Sequence, residues 1–151
     1  MKSSRLVLRR FARADLPFLL ELETDSEVMK FTGFRVPQLR AKTEERLEKL
    51  LAATDDDLGV WGAESSGVLV GWFMLKMTEF AVPELGFMLP QRAWGKGYAT
   101  EGSALLVKHG LARFPALRAV ADAENLASIR VLEKAGFRCL EGNIFEISRA
   151  L

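Results

Sequence analysis

Arg92-Ala93-Trp94-Gly95-Lys96-Gly97-Tyr98-Ala99 is the stretch that decides how this chain is read. It lies between an apolar run stopped by Pro90 and a helical pattern that starts near Tyr98. Glycines at 95 and 97 let the backbone approach a ligand closely. A helix start directs unpaired N–H groups and a partial positive charge at that ligand. Arg92 and Lys96 add full positive charges. Such a site suits a diphosphate, although a plain helix start with glycines for a tight turn fits the same spacing. Two other phosphate motifs are excluded. A P-loop needs a different glycine spacing and a hydroxyl after the lysine. A dinucleotide fingerprint needs a third glycine where Thr100 stands.

Working outward, Val82 to Leu89 reads as a strand before the loop, and Tyr98 to Phe114 as a helix after it. Upstream, Leu58–Glu64 and Val68–Leu75 flank Ser65-Ser66-Gly67, a hairpin with Gly67 available for positive φ. Nearer the start, Leu6 to Phe11 alternates as a first strand. Asp15 before Pro17 marks a helix start with Asp15 as N-cap, and Ser26 opens a short helical turn ending near Gly33. Residues 38–53 form a charged amphipathic helix with Glu45 and Lys49 paired at i,i+4. Downstream come the strand Leu117–Ala121, the helix Asn125–Ala135 closed by Gly136, and a hairpin about Gly142-Asn143. This order predicts a mixed α/β (α+β) fold.

The 151 residues suit one domain over 1–151, with no repeat or linker-like tract. Lys plus Arg number 21 against 20 for Asp plus Glu, so charge gives no argument for nucleic acid or a membrane surface as partner. A single cysteine, Cys139, excludes an intramolecular disulfide and a Cys-based cluster; it reads as a small core residue. A single histidine, His109, excludes a His-pair metal site, and nothing near it in sequence supplies a catalytic partner. Trp61, Trp72 and the phenylalanines at strand spacing read as core. MKSSRLVLRRF lacks the apolar segment of a signal peptide, and no run approaches the roughly 18 apolar residues of a membrane span, so a cytoplasmic, reduced protein is expected.

Several words of the chain occur together. These are Arg5-Leu6-Val7-Leu8-Arg9, Glu84-Leu85-Gly86-Phe87, Trp94-Gly95-Lys96-Gly97-Tyr98-Ala99-Thr100-Glu101, and Glu124-Asn125-x-x-Ser128-Ile129-Arg130-Val131-Leu132-Glu133-Lys134-x-Gly136-Phe137. In that order, with Arg92-x-x-Gly95-x-Gly97, they resemble the GNAT N-acetyltransferases, and within them the ribosomal-protein N-terminal acetyltransferase-like branch. The resemblance implies the acyl-CoA N-acyltransferase fold, a central, mostly antiparallel sheet flanked by helices.

It also implies acetyl-CoA as co-substrate. The pyrophosphate would rest on Arg92, Trp94, Gly95, Lys96, Gly97, Tyr98, Ala99 and Thr100, and the pantetheine arm along Phe87, Met88 and Leu89. Backbone contacts fall to Met88 and Leu89, with a strand N–H polarising the thioester carbonyl. Glu84 is the candidate general base, directly or through a water; a surface Glu paired with an Arg is the other reading. At pH 7 an α-amine of pKa near 8 costs about 1.4 kcal/mol to deprotonate, and a lysine near 10.4 about 4.6.

Many relatives carry a tyrosine as acid where this chain has Leu132, and its only tyrosine is Tyr98. A thiol of pKa about 8.5 leaves as a tolerable anion; the resemblance implies that Ser128 stands where it can donate to the sulfur, an ordinary first-turn helix serine being the other reading. Asn125 is both an apt N-cap and, by resemblance, a contact to the arm. Phe31 and Phe34 fall where the family places its variable acceptor wall.

The expected function is therefore direct acetyl transfer to an amine in a ternary complex, without a metal or covalent intermediate. A protein N-terminal α-amine leads as acceptor. A small-molecule amine and a non-catalytic acyl-CoA-binding module are the alternatives, and a nucleotide-binding protein is a further one. A monomer or homodimer is expected, and the chain is short for this branch.

Overall fold

The computed structural model describes residues 1–150. Seven strands form one sheet in the order β1-β2-β3-β4-β5-β7-β6. They are β1 (Val7–Arg9), β2 (Gly59–Ser65), β3 (Val68–Lys76), β4 (Glu84–Met88), β5 (Ala116–Val120), β6 (Arg138–Glu141) and β7 (Ile144–Ser148). The helices are α1 (Leu16–Glu23), α2 (Ser26–Met29), α3 (Arg40–Ala52), α4 (Tyr98–Leu111) and α5 (Leu126–Lys134). All neighbouring strands run antiparallel except β4 and β5. This is the mixed architecture expected from the order of elements, with the mostly antiparallel sheet that the resemblance implies.

The period-2 alternation of the strands gives the sheet two apolar faces. Phe73, Leu75, Leu85, Leu117 and Phe145 pack on one face with Leu106 of α4 and Leu132 of α5. On the other, Val60 packs with Phe18, Leu19 and Leu22 of α1 and Leu47 of α3. The β2–β3 hairpin turns through Ser66 (φ 51°) and Gly67 (φ 78°), the left-handed pair that matches strand twist. Gly136 (φ 99°) ends α5 as the sequence indicates.

Gly102 lets α4 lie directly on the sheet. A Cβ there would stand 2.1, 2.4 and 2.5 Å from three ring atoms of Phe73, which is fully buried and has no room to yield. Alanine is the better helix former by about 1 kcal/mol. Overpacking against a locked ring costs up to about 3 kcal/mol, so Gly102→Ala should lose roughly 2 kcal/mol in urea unfolding.

Two sequence expectations are corrected. Asp15 does not cap α1 with its side chain; a 3-10 turn precedes the helix, and the carboxylate accepts from Arg9 at 2.7 and 2.9 Å and from the Ala12 amide at 2.7 Å. The nearby guanidinium draws the carboxylate into an ion pair instead. Cys139 is exposed, because β6 is the edge strand and all four of its residues face solvent.

Candidate functional site

β4 and β5 touch at one end only. Glu84 pairs with Arg118, and the Arg118 amide donates to the Pro83 carbonyl at 2.9 Å; beyond that point no further pair forms. Main-chain groups alternate sides along a strand. Since the Pro83 carbonyl points at β5, Leu85, Phe87 and Leu89 turn their N–H and C=O groups the same way. Gly86 and Met88 face β3, where they pair with Met74 and Trp72. The open gap is thus edged by the main chain of Phe87. Met88, expected from the sequence to offer its backbone, turns it away. The Leu89 carbonyl accepts from the Trp94 indole N–H at 2.8 Å, which ties the loop to the end of β4.

The loop continues from that end. A 3-10 turn over Gln91–Ala93 leads into Gly95 (φ 71°) and Gly97 (φ 83°), and Gly97 is the N-cap of α4. Among the described residues, the backbone N–H groups from Gly95 to Thr100 have no hydrogen-bond partner in the protein; the next amide, Glu101, closes the first turn onto the Gly97 carbonyl at 3.0 Å. Six successive free amides at a helix start form an anion cradle.

Arg92 does not point into it. Its guanidinium donates to both oxygens of Glu21 on α1 at 2.7 and 3.0 Å and to the Leu69 carbonyl at 2.8 Å. It fastens the loop to α1 and β3. Lys96 is exposed, and it forms no ion pair among the described residues. Tyr98 is half-buried beneath the Arg5 guanidinium, 4.6 Å from its ring centre.

Across the gap, the Asn125 side chain accepts from the Ser128 amide at 3.3 Å, so Asn125 is a true N-cap of α5. Ser128 sits half-buried in that first turn. The segment between α2 and α3 reaches the end of β5 through Arg35, whose guanidinium lies 2.7 Å from the Asp122 carboxylate. Phe31 is half-buried and Phe34 is 50% exposed beneath Arg46. His109 bonds the Asp57 carbonyl at 3.1 Å and stands edge-on to Trp61, away from the gap.

Glu84 marks the point where the strands part. It belongs to a cross-strand row, Lys76–Glu84–Arg118–Glu146–Arg138, whose charges alternate in sign. Arg118 nevertheless spends its charge on Glu146, at 2.9 Å, and lies 5.0 Å over the Phe80 ring. Burial therefore dominates at Glu84 and pushes its pKa above the usual carboxylate value. A bond from Thr78 pulls it down, and the nearby Glu79 charge pushes it up again. A half-buried carboxylate without an ion pair is placed to accept a proton. Among the described residues, no group of three or more His, Cys, Asp or Glu is arranged to hold a metal. Among the described residues, no helix is long and apolar enough to cross a membrane.

A strand parted from its parallel neighbour, beside an anion cradle, is a known arrangement. The family model for the acetyltransferase (GNAT) domain matches residues 5–138. The chain belongs to the GNAT acetyltransferase family. A GNAT acetyltransferase structure from Bacillus anthracis superposes on it with a TM-score of 0.84 at 26% identity, covering 97% of this chain and 96% of that one. Spermidine N-acetyltransferase from Vibrio cholerae, solved with CoA and spermine, gives 0.79 at 19% identity over 97% and 96% of the two chains. A curated relative, the FsC-acetyl coenzyme A-N(2)-transacetylase of Aspergillus fumigatus, is 25% identical over 154 residues, 93% of this chain and 66% of that protein. The GNAT domain described here thus spans about two thirds of that relative's length.

Sequence reading singled out the loop, Glu84, Asn125 and Ser128; the fold sets Glu84 where β4 and β5 part and the loop beyond the far end of β4. It missed Glu21, which holds Arg92, and Glu146, which takes the charge of Arg118. Both act through partners distant in sequence.

Proposed function

We propose that this GNAT domain transfers the acetyl group of acetyl-CoA to a primary amine, with a protein or peptide N-terminal α-amine as acceptor. The observation that carries the donor is the row of six unpartnered amides from Gly95 to Thr100, set at the open end of the β4–β5 gap. The diphosphate accepts from those amides, with Lys96 supplying charge. The pantetheine arm follows β4 and bonds the main chain of Phe87 like an added strand. The Asn125 amide meets the arm from the other wall.

Transfer is direct. The neutral amine nitrogen attacks the thioester carbonyl, whose developing oxyanion takes a hydrogen bond from a β4 amide. Glu84 accepts the amine proton, directly or through a water. The carbon–sulfur bond breaks, and the thiolate leaves toward the Ser128 hydroxyl and takes up a proton. Phe31 and Phe34 form part of the acceptor wall, on the segment pinned by Arg35 to Asp122.

The words shared with the ribosomal-protein N-terminal acetyltransferase-like branch support the α-amine. So does the low cost of deprotonating it, about 1.4 kcal/mol at pH 7, which a single carboxylate of raised pKa can meet. A small polyamine is the second reading, favoured by Glu79 beside Glu84 and by the solved neighbour that carries spermine. A thiol-release assay with acetyl-CoA against N-terminal peptides and small amines decides between them. Peptide-dependent release is expected, and release with polyamines alone reverses the acceptor. No release with any amine, together with stabilisation by CoA, leaves a binding module. Stabilisation by ATP or NAD and not by CoA removes the donor reading.

A further inference from the structure

The densest polar network in the molecule stands behind the loop and has no role in the transfer chemistry. Glu101, one turn into α4, is 16% exposed at its side chain. It accepts from Ser3 Oγ at 2.6 Å, Ser4 Oγ at 3.2 Å, the Arg5 amide at 2.9 Å and Arg5 Nε at 2.7 Å. Arg5 Nη1 in turn donates to the Lys96 carbonyl at 2.8 Å, inside the cradle sequence. Burial opposes the charge on Glu101, yet the bonds from Ser3 and Arg5 outweigh it and hold the carboxyl at about 2. The carboxylate is therefore charged at neutral pH.

One consequence follows from peptide planarity. In a trans peptide the C=O and the following N–H point in opposite directions. A Lys96 carbonyl held by Arg5 sends the Gly97 N–H to the other side, toward the open face of the loop. Without that hold, the peptide can rotate about ψ of Lys96 and the unrestricted φ of Gly97 (φ 83° here). A rotated peptide would turn a carbonyl oxygen, and not an amide, toward a diphosphate. Arg5 also packs against Gly97, where a Cβ would meet its guanidinium at 3.2 Å.

We infer that Glu101 is a positioning residue for the donor: through Arg5 it locks the Lys96–Gly97 peptide so that the cradle amides face the diphosphate before it arrives. The inference rests on acetyl-CoA being the donor. It goes beyond that reading in assigning a function to the N-terminal segment, which touches neither reacting atom.

The test compares two thioesters in wild type, Glu101→Gln and Arg5→Lys. One is acetyl-CoA. The other is S-acetyl-N-acetylcysteamine, which carries the same reacting atoms and no diphosphate. In both variants the KM for acetyl-CoA should rise roughly tenfold, the loss of one charge-assisted hydrogen bond, with kcat at saturation unchanged. The kcat/KM for S-acetyl-N-acetylcysteamine should stay at the wild-type value. An equal fall with both thioesters would show general damage and overturn the inference, as would an unchanged KM for acetyl-CoA. Arg5→Lys, which keeps the charge, decides the matter if Glu101→Gln fails to fold. Wild type inactive with acetyl-CoA refutes the donor reading itself, a separate outcome.

Discussion

Glu84→Gln is expected to lower kcat/KM for the amine by roughly 10²–10⁴-fold, the range of a lost general base, while the Kd for CoA stays unchanged. Glutamine keeps the size and hydrogen-bonding capacity of the side chain and its place opposite Arg118, but it cannot take a proton. The pH dependence should change with it. Burial first, and Glu79 after it, raise the Glu84 carboxyl above 4.5, so the wild-type rate climbs with pH as this group ionises. The variant should lose that limb and keep only the one set by the amine. Stability should move the other way. A carboxyl whose folded pKa lies above its unfolded value stabilises the fold when protonated, and that contribution disappears as pH rises through the folded pKa. At pH 7 the charged Glu84 opposes folding, so Glu84→Gln should melt slightly higher than wild type. A variant with wild-type kcat/KM would assign the proton to solvent.

Phe73→Ala is expected to cost about 3–5 kcal/mol. The ring is fully buried, with its edge against Gly102 of α4 and its centre 6.1 Å from that of Phe87 on β4. It supports both elements that form the donor site, β4 from the neighbouring strand and α4 from the sheet face beneath it. Gly102 has no side chain to fill the cavity left behind. At about 2–4 °C per kcal/mol for a chain of this size, the midpoint should fall by roughly 6–20 °C. The KM for acetyl-CoA should rise as β4 and α4 lose their common support. A loss below about 1 kcal/mol by urea unfolding would mean that the core closes around the deletion, contrary to the rigid packing described.

The fold was legible where local chemistry governs it. Gly67 and Gly136 adopt the positive φ that the sequence assigned to them, and the α3 pair Glu45–Lys49 forms at 3.4 Å. The loop and its glycines were equally plain. What the sequence could not give was the fate of each charge. Arg92 reads as a phosphate ligand until Glu21, on a different helix, is seen to bind it in two places. Asp15 reads as a cap until Arg9 claims it, and nothing in the sequence singles out Glu101, on which Ser3, Ser4 and Arg5 converge. Each is decided by a partner that only the folded chain brings near. Cys139 was misjudged for a related reason, since whether a strand lies at the edge of a sheet depends on strand order and not on its own residues. The parting of β4 from β5 has no local signal either.

The most direct test of the account is residue-resolved amide hydrogen exchange, by NMR, with and without CoA. In the free protein the amides of Gly95 to Thr100 have no internal partner, so they should exchange fast. CoA should slow that whole set together with Phe87 on the open edge of β4, and leave Met88, already paired to β3, as it was. Binding of CoA that protects neither the loop amides nor Phe87 would contradict the account.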